Sequence, residues 1–328
     1  MKSMKSYFLG CAIILFFTSC SPDSSEKNTV FVSILPQKYF VEMIAGDLLA
    51  VEVMVKPGLS PETYEPLPEQ MIALSKANLY FAIGVQFEKV WLKKILSNSP
   101  NIKIIRTQQN IELIPHADRD DIFEIIRAEE IDKDKDYDKD NDSVNNLTLN
   151  LTLNPNLNYT LNHDTHHHGL LDAHIWLSPE LVKIQLRNIC DALIQFYPEK
   201  KEYFNMNLDS SITRISELQK DIRNNLGNLT QREFIVFHPS WGYFAREFNL
   251  TQIPLEVEGK DPSPAQLVAV IKFAKARGIK TIFMQKQFSS KSVETLAAEI
   301  DGIVVQIDPL AYNYFDNLIY TSKVLGGN

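Results

Sequence analysis

Two hydrophobic rhythms alternate along this chain. Short apolar runs rich in Val, Ile and Phe fall at residues 29–35, 50–55, 79–83 and 102–105, the signature of buried strands. Between them apolar residues recur at helical spacing, with Pro36 and Pro68 at helix openings and Gly46 at a helix end. The rhythm stops near residue 116 and resumes at 171. A helix over 179–196 follows, capped by Ser178, and Pro198 punctuates it. A longer helix over 199–226 carries apolar residues at 208, 212, 215, 218, 222 and 226 and ends at Gly227. At ~1.5 Å per residue it spans roughly 40 Å, the width of a domain. Strands at 233–237, 252–255, 281–284 and 303–307 then alternate with helices, one over 264–277 stopped by Gly278, others over 290–299 and 312–325.

Strand–helix alternation on both sides of one long helix predicts an α/β fold. We expect two similar parallel-sheet, Rossmann-like lobes joined by that helix. The expected boundaries are an N-terminal lobe over 29–198, a linking helix over 199–227 and a C-terminal lobe over 228–328. In open α/β sheets ligands bind beyond the carboxyl ends of the strands, here in the cleft between the lobes. A length of 328 residues with 45% hydrophobic content fits two cored domains.

Residues 116–170 break the pattern as an insert. Alternating Asp and Lys run from 132 to 142, an Asn/Leu/Thr tract repeats LTLN at 147–154, and His163, His166, His167 and His168 close the segment. Such composition predicts a mobile loop. Residues 116–172 carry a net charge of −9 against −8 for the whole chain, so the remainder is close to neutral. Without a basic stripe, nucleic acid is excluded as a partner.

At the N-terminus, Lys2 and Lys5 precede a 12-residue apolar stretch, too short to cross a bilayer comfortably, that ends in Phe17-Thr18-Ser19-Cys20. This resembles a bacterial lipoprotein signal. It implies a signal peptide over 1–19, lipidation of Cys20 and a polar tether over 20–28, with Phe17 unusual for its position; a plain secretory signal is the alternative. Cys190 then has no partner, and a disulfide framework is not expected.

The candidate chemistry sits where strands stop. His174 lies in Asp172-Ala173-His174-Ile175-Trp176-Leu177-Ser178-Pro179, and His238 directly follows an apolar strand. Glu62 sits in a proline-stiffened loop after the second strand, and Asp308 follows the last strand. Two imidazoles and two carboxylates, two from each lobe, suit a divalent ion, zinc or a similar transition metal. Taken singly, each has a bland reading: a hydrogen-bonded strand-end histidine, a turn aspartate, a solvated glutamate. Their recurrence at one kind of location favours the metal.

The strings SPETYEP (60–66), DAHIWLSP (172–179), VFHPSWGYFAREFNL (236–250), EGKDPSPAQL (258–267) and IDPL (307–310) together make the chain similar to the zinc/manganese solute-binding proteins of bacterial ABC importers, the cluster A-I family. The resemblance covers about 29–115 and 171–325. It implies one metal between two lobes, a membrane permease and its ATPase as partners, an extracytoplasmic or periplasmic position through a lipid anchor, and no enzymatic activity. Carried over, His174, His238 and Asp308 match ligands. Glu62 stands where zinc-type members usually have His, so either its carboxylate ligates or water fills that position.

His238 and the His-rich insert favour Zn²⁺ over Mn²⁺. His163, His166, His167 and His168 either act as auxiliary metal ligands or belong to a tract that tolerates His. Trp176 and Trp241 read as packing beside the histidines, and Glu256 and Glu258 as surface contacts for the permease. The rival functions are a zinc hydrolase with Glu65 as base, weakened by the lack of a HExxH motif, and an adhesin on the same fold.

Overall fold

The computed structural model describes residues 28–115, 171–256 and 259–327. Two four-stranded sheets, parallel throughout, form the frame. The first has the order β2-β1-β3-β4, from β1 (Asn28–Val32), β2 (Leu49–Val53), β3 (Leu79–Ala82) and β4 (Lys103–Arg106). The second repeats that order as β6-β5-β7-β8, from β5 (Glu233–Val236), β6 (Thr251–Pro254), β7 (Thr281–Gln285) and β8 (Ile303–Ile307). In each sheet the order reverses beside the first strand, which opens a crevice at the carboxyl edge.

The helices start where the chain supplies starts. In α1 (Leu35–Ala45), α2 (Pro68–Leu74), α4 (Pro179–Phe196) and α7 (Pro264–Arg277), proline occupies the first turn, where a missing N–H is harmless. The Ser178 hydroxyl accepts from Leu181 N at the head of α4. Ser263 and Gln266 form a capping box on α7, which Gly278 closes in the left-handed region at φ 67°. The remaining helices are α3 (Gln86–Asn98), α5 (Lys201–Leu226), α6 (Gly242–Glu247), α8 (Lys291–Glu299) and α9 (Tyr314–Leu325). The expected long helix is α5, 26 residues entered through a 3-10 turn at Pro198–Lys200.

Helix α5 packs against α4, α1 and the C-terminal α9. It does not merely span the gap between lobes. Its buried Phe204, Ile215, Leu218 and Ile222 belong to one core that includes Val30 and Phe40 of the first lobe and Val236, Phe283 and Tyr314 of the second. Strand β5 shows how the second sheet is shared out. Phe234 and Val236 enter that common core, while the alternate Ile235 and Phe237 enter a separate cluster with Val270 and Leu296.

Across the junction, Phe40 meets Tyr314 edge-on with ring centroids 4.9 Å apart. Trp176 Nε1 donates to the Pro309 carbonyl at 2.7 Å, and Tyr243 donates its hydroxyl to the Asp172 carbonyl at 2.9 Å. Separating the lobes exposes apolar side chains at roughly 1.5–3 kcal/mol each. The architecture therefore favours small sliding or loop motions over wide opening.

Candidate metal centre

Glu62, His174 and His238 come together in the cleft, each offering one ligand atom, and those atoms all lie within 4.8 Å of one another. The two imidazole centroids are 5.3 Å apart and the rings meet edge-on. The gap they border, with Trp176, Phe288 and Leu310, holds about 20 Å³, room for one ion or water. Beside it, between residues 56–59 and 308–313, lies a larger cavity of about 370 Å³.

Each side chain is held by a different element. Glu62 rides on the loop leaving β2, which α3 anchors: Phe87 N donates to the Pro61 carbonyl at 3.1 Å, and the Tyr64 ring packs edge-on against Phe87. The Tyr64 hydroxyl bonds Gln70, which in turn donates to the Met54 carbonyl at 2.8 Å. His174 opens the 3-10 turn Ile175–Leu177 that leads into α4. His238 ends the β5 run. The buried Gln285 at the end of β7 grips its backbone both ways, accepting from His238 N at 3.3 Å and donating to the His238 carbonyl at 2.7 Å. Phe288 stacks on the His238 ring at 24°.

Exposure falls from the rim inward, with side chains 35% exposed at Glu62, 12% at His174 and 7% at His238. Glu62 Oε1 sits 2.8 Å from His238 Nε2, and the buried Glu256 sits 2.8 Å from Nδ1 of the same ring. Burial alone pushes the His238 imidazolium toward a lower pKa. The hydrogen bonds and negative charges of Glu256 and Glu62 outweigh it and raise the pKa to about 9. Metal-free His238 is thus a cation clamped between two carboxylates. His174 keeps its Nδ1 2.6 Å from Asp172 Oδ1.

Asp308 stands apart from the three converging groups. Its Oδ1 accepts from Leu310 N at 2.9 Å and from Gln287 Nε2 at 3.4 Å, a turn arrangement at the end of β8. It lines the larger cavity together with Gln287 and Leu310, which also border the ion-sized gap.

Glu256 was expected at the surface. It is 3% exposed and bonded to His238, because the apolar Ile253 and Leu255 beside it bury the strand end that carries it. Glu258, His163, His166, His167, His168 and Cys20 lie outside the described residues. Sequence reasoning did not assign Asp172, Gln285 or Phe288 to the site. Asp172, two residues before His174, carried a usable signal; Gln285 and Phe288 meet His238 only through the fold.

Two parallel-sheet lobes meet at an ion-sized gap bordered by two imidazoles and a carboxylate, a donor set that could hold a metal ion. Residues 30–325 match the family described as zinc-uptake complex component A, periplasmic, and the chain belongs to it. It is similar to the zinc-binding protein AdcA of Streptococcus pyogenes, 26% identical over 288 residues, 87% of this chain and 50% of that protein. The chain thus spans about half the length of this relative. It is also similar to the high-affinity zinc uptake system protein ZnuA of Bacillus subtilis, 26% identical over 312 residues, 91% of this chain and 86% of that one. Among solved structures, a crystal structure of ZnuA is 35% identical with a TM-score of 0.74, covering 92% of this chain and 99% of that chain.

Proposed function

We propose that this protein captures one Zn²⁺ ion outside the cytoplasmic membrane and delivers it to an ABC permease with its ATPase. The observation that carries the reading is the convergence of Glu62, His174 and His238, from two lobes, on one ion-sized gap. Two imidazoles and a carboxylate suit zinc, which also out-competes manganese at such nitrogen-containing sites. The names of the zinc uptake and zinc-binding relatives support the same metal.

Asp308 completes a four-ligand set when its carboxylate turns away from Leu310 N. It lines the larger cavity, one residue before the carbonyl that receives Trp176 Nε1, and Gln287 and Leu310 beside it also border the ion-sized gap, which supports that role. Cys20 as a lipidated terminus would tether the protein to the membrane, and the zinc-binding lipoprotein AdcA of Streptococcus pneumoniae, 24% identical, supports that arrangement. In this reading the lobes are taken as residues 29–198 and 228–328, with the helix between them as the link. The ion serves as cargo, so the protein needs a grip that the permease can undo and not a catalytic base.

Metal analysis of the purified chain tests the reading. The expected result is one zinc per chain, lost in His238→Ala and weakened in Glu62→Ala and Asp308→Ala. Unchanged zinc content in both His238→Ala and Glu62→Ala would place the ion elsewhere and overturn the site.

A further inference from the structure

We infer that Asp172 and Glu256 are positioning residues that hold His174 and His238 by Nδ1, so that both rings turn Nε2 toward the ion. The inference rests on the zinc-capture reading and adds to it the two carboxylates that set the geometry of the grip.

The two histidines reach the cleft from unrelated elements, yet each is held in the same way. Asp172 Oδ1 lies 2.6 Å from His174 Nδ1, and Glu256 Oε2 lies 2.8 Å from His238 Nδ1. Both carboxylates are buried, Asp172 at 2% exposure and Glu256 at 3%. A carboxylate on one ring nitrogen fixes the tautomer, stops the ring from rotating and makes the other nitrogen a better donor to a cation. For His238 the orientation is visible directly: Nε2 faces Glu62, across the gap, while Nδ1 faces Glu256.

Neither carboxylate is itself part of the converging group. Glu256 uses Oε2 on the ring and Oε1 to accept from Gly259 N at 2.6 Å. Asp172 Oδ1 also accepts from His174 N at 2.8 Å, so one oxygen holds both backbone and ring. Its Oδ2 lies against Gly242, where a Cβ would stand only 3.1 Å away. The absence of a side chain at 242 makes room for the carboxylate. The neighbouring Tyr243 hydroxyl donates to the Asp172 carbonyl and accepts from Ile114 N at 3.0 Å.

The first residues of α6, which starts four positions after His238, therefore clasp the residue that orients His174. The two imidazoles are set relative to each other by a path through Gly242, Tyr243 and Asp172 that does not involve the metal.

The test uses the full chain loaded with zinc and long-range ¹H–¹⁵N spectra of its histidine rings. Both His174 and His238 are expected to bind zinc through Nε2 and to retain a hydrogen-bonded, slowly exchanging Nδ1 proton. Asp172→Asn and Glu256→Gln are near-isosteric. Each is expected to weaken zinc binding 10–100-fold in competition with a chelator, and each to alter the Nδ1 proton of its own histidine alone.

Ligation through Nδ1 in the wild-type spectrum overturns the inference, whether or not a variant folds. So do two folded variants with wild-type affinity and unchanged ring signals. A wild-type chain that binds no zinc overturns the zinc reading first, which separates that failure from this one.

Discussion

With His238 as the proposed ligand, zinc binding at neutral pH must expel a proton from its ring. With its pKa held at about 9 by Glu256 and Glu62, the ring is protonated on both nitrogens at pH 7, and Nε2 has no lone pair to give. At pH 7 the ring is about two pH units below that pKa, so expelling the proton opposes binding by about 3 kcal/mol. Apparent zinc affinity should rise about tenfold per pH unit from 7 toward 9 and then level off, about 100-fold in all.

The sign for the metal-free fold is the opposite. A raised histidine pKa contributes stability that is full below the unfolded value near 6.5 and is lost as pH rises through about 9. Isothermal titration calorimetry at pH 7, repeated in buffers of different ionisation enthalpy, counts the protons released. About one per zinc is expected from His238. No release, together with an affinity flat from pH 7 to 9, would refute the claim that Glu62 and Glu256 clamp a cationic ring.

Three further outcomes follow from the packing. Trp176→Phe leaves the buried Pro309 carbonyl without its donor and should lower stability by about 1–3 kcal/mol in urea unfolding, while loosening the Asp308 loop. Phe40→Ala removes a fully buried ring from the core shared by both lobes; an expected loss of about 3–5 kcal/mol should appear in calorimetry as one transition shifted whole, not as one lobe melting ahead of the other. Deleting residues 132–168 should leave one tight zinc per chain, counted by competition titration, since Glu62, His174 and His238 all lie outside the cut.

The strand and helix pattern was legible because local chemistry punctuates it. Pro179 and Phe196 bound α4, and Pro264 and Arg277 bound α7, at the residues where the proline and glycine signals put them. Strand ends were less so: the run at 29–35 yields a strand only to Val32, because Pro36 and the backbone of Ile34 already commit the following residues to α1. The role of α5 as core was partly legible in its apolar spacing, but its contact with α9 joins residues about a hundred positions apart, which periodicity does not encode.

At the site, His174 and His238 stood out by their place beside apolar runs. Glu256 did not, since a glutamate within Leu255-Glu256-Val257-Glu258-Gly259 reads as solvated unless the partner beneath it is known. Asp308 marks the same limit from the other side. Its position after β8 was readable, but the direction of its carboxylate depends on Leu310 N and Gln287, which only the folded loop brings near.

The central claim is that one ion is shared by side chains of both lobes, and X-ray absorption at the zinc edge of the loaded protein tests it most directly. The account predicts one zinc with two imidazole nitrogens at about 2.0–2.1 Å, the rest of the shell oxygen, and no sulfur. A spectrum with a sulfur neighbour, or with fewer than two imidazoles, would contradict it.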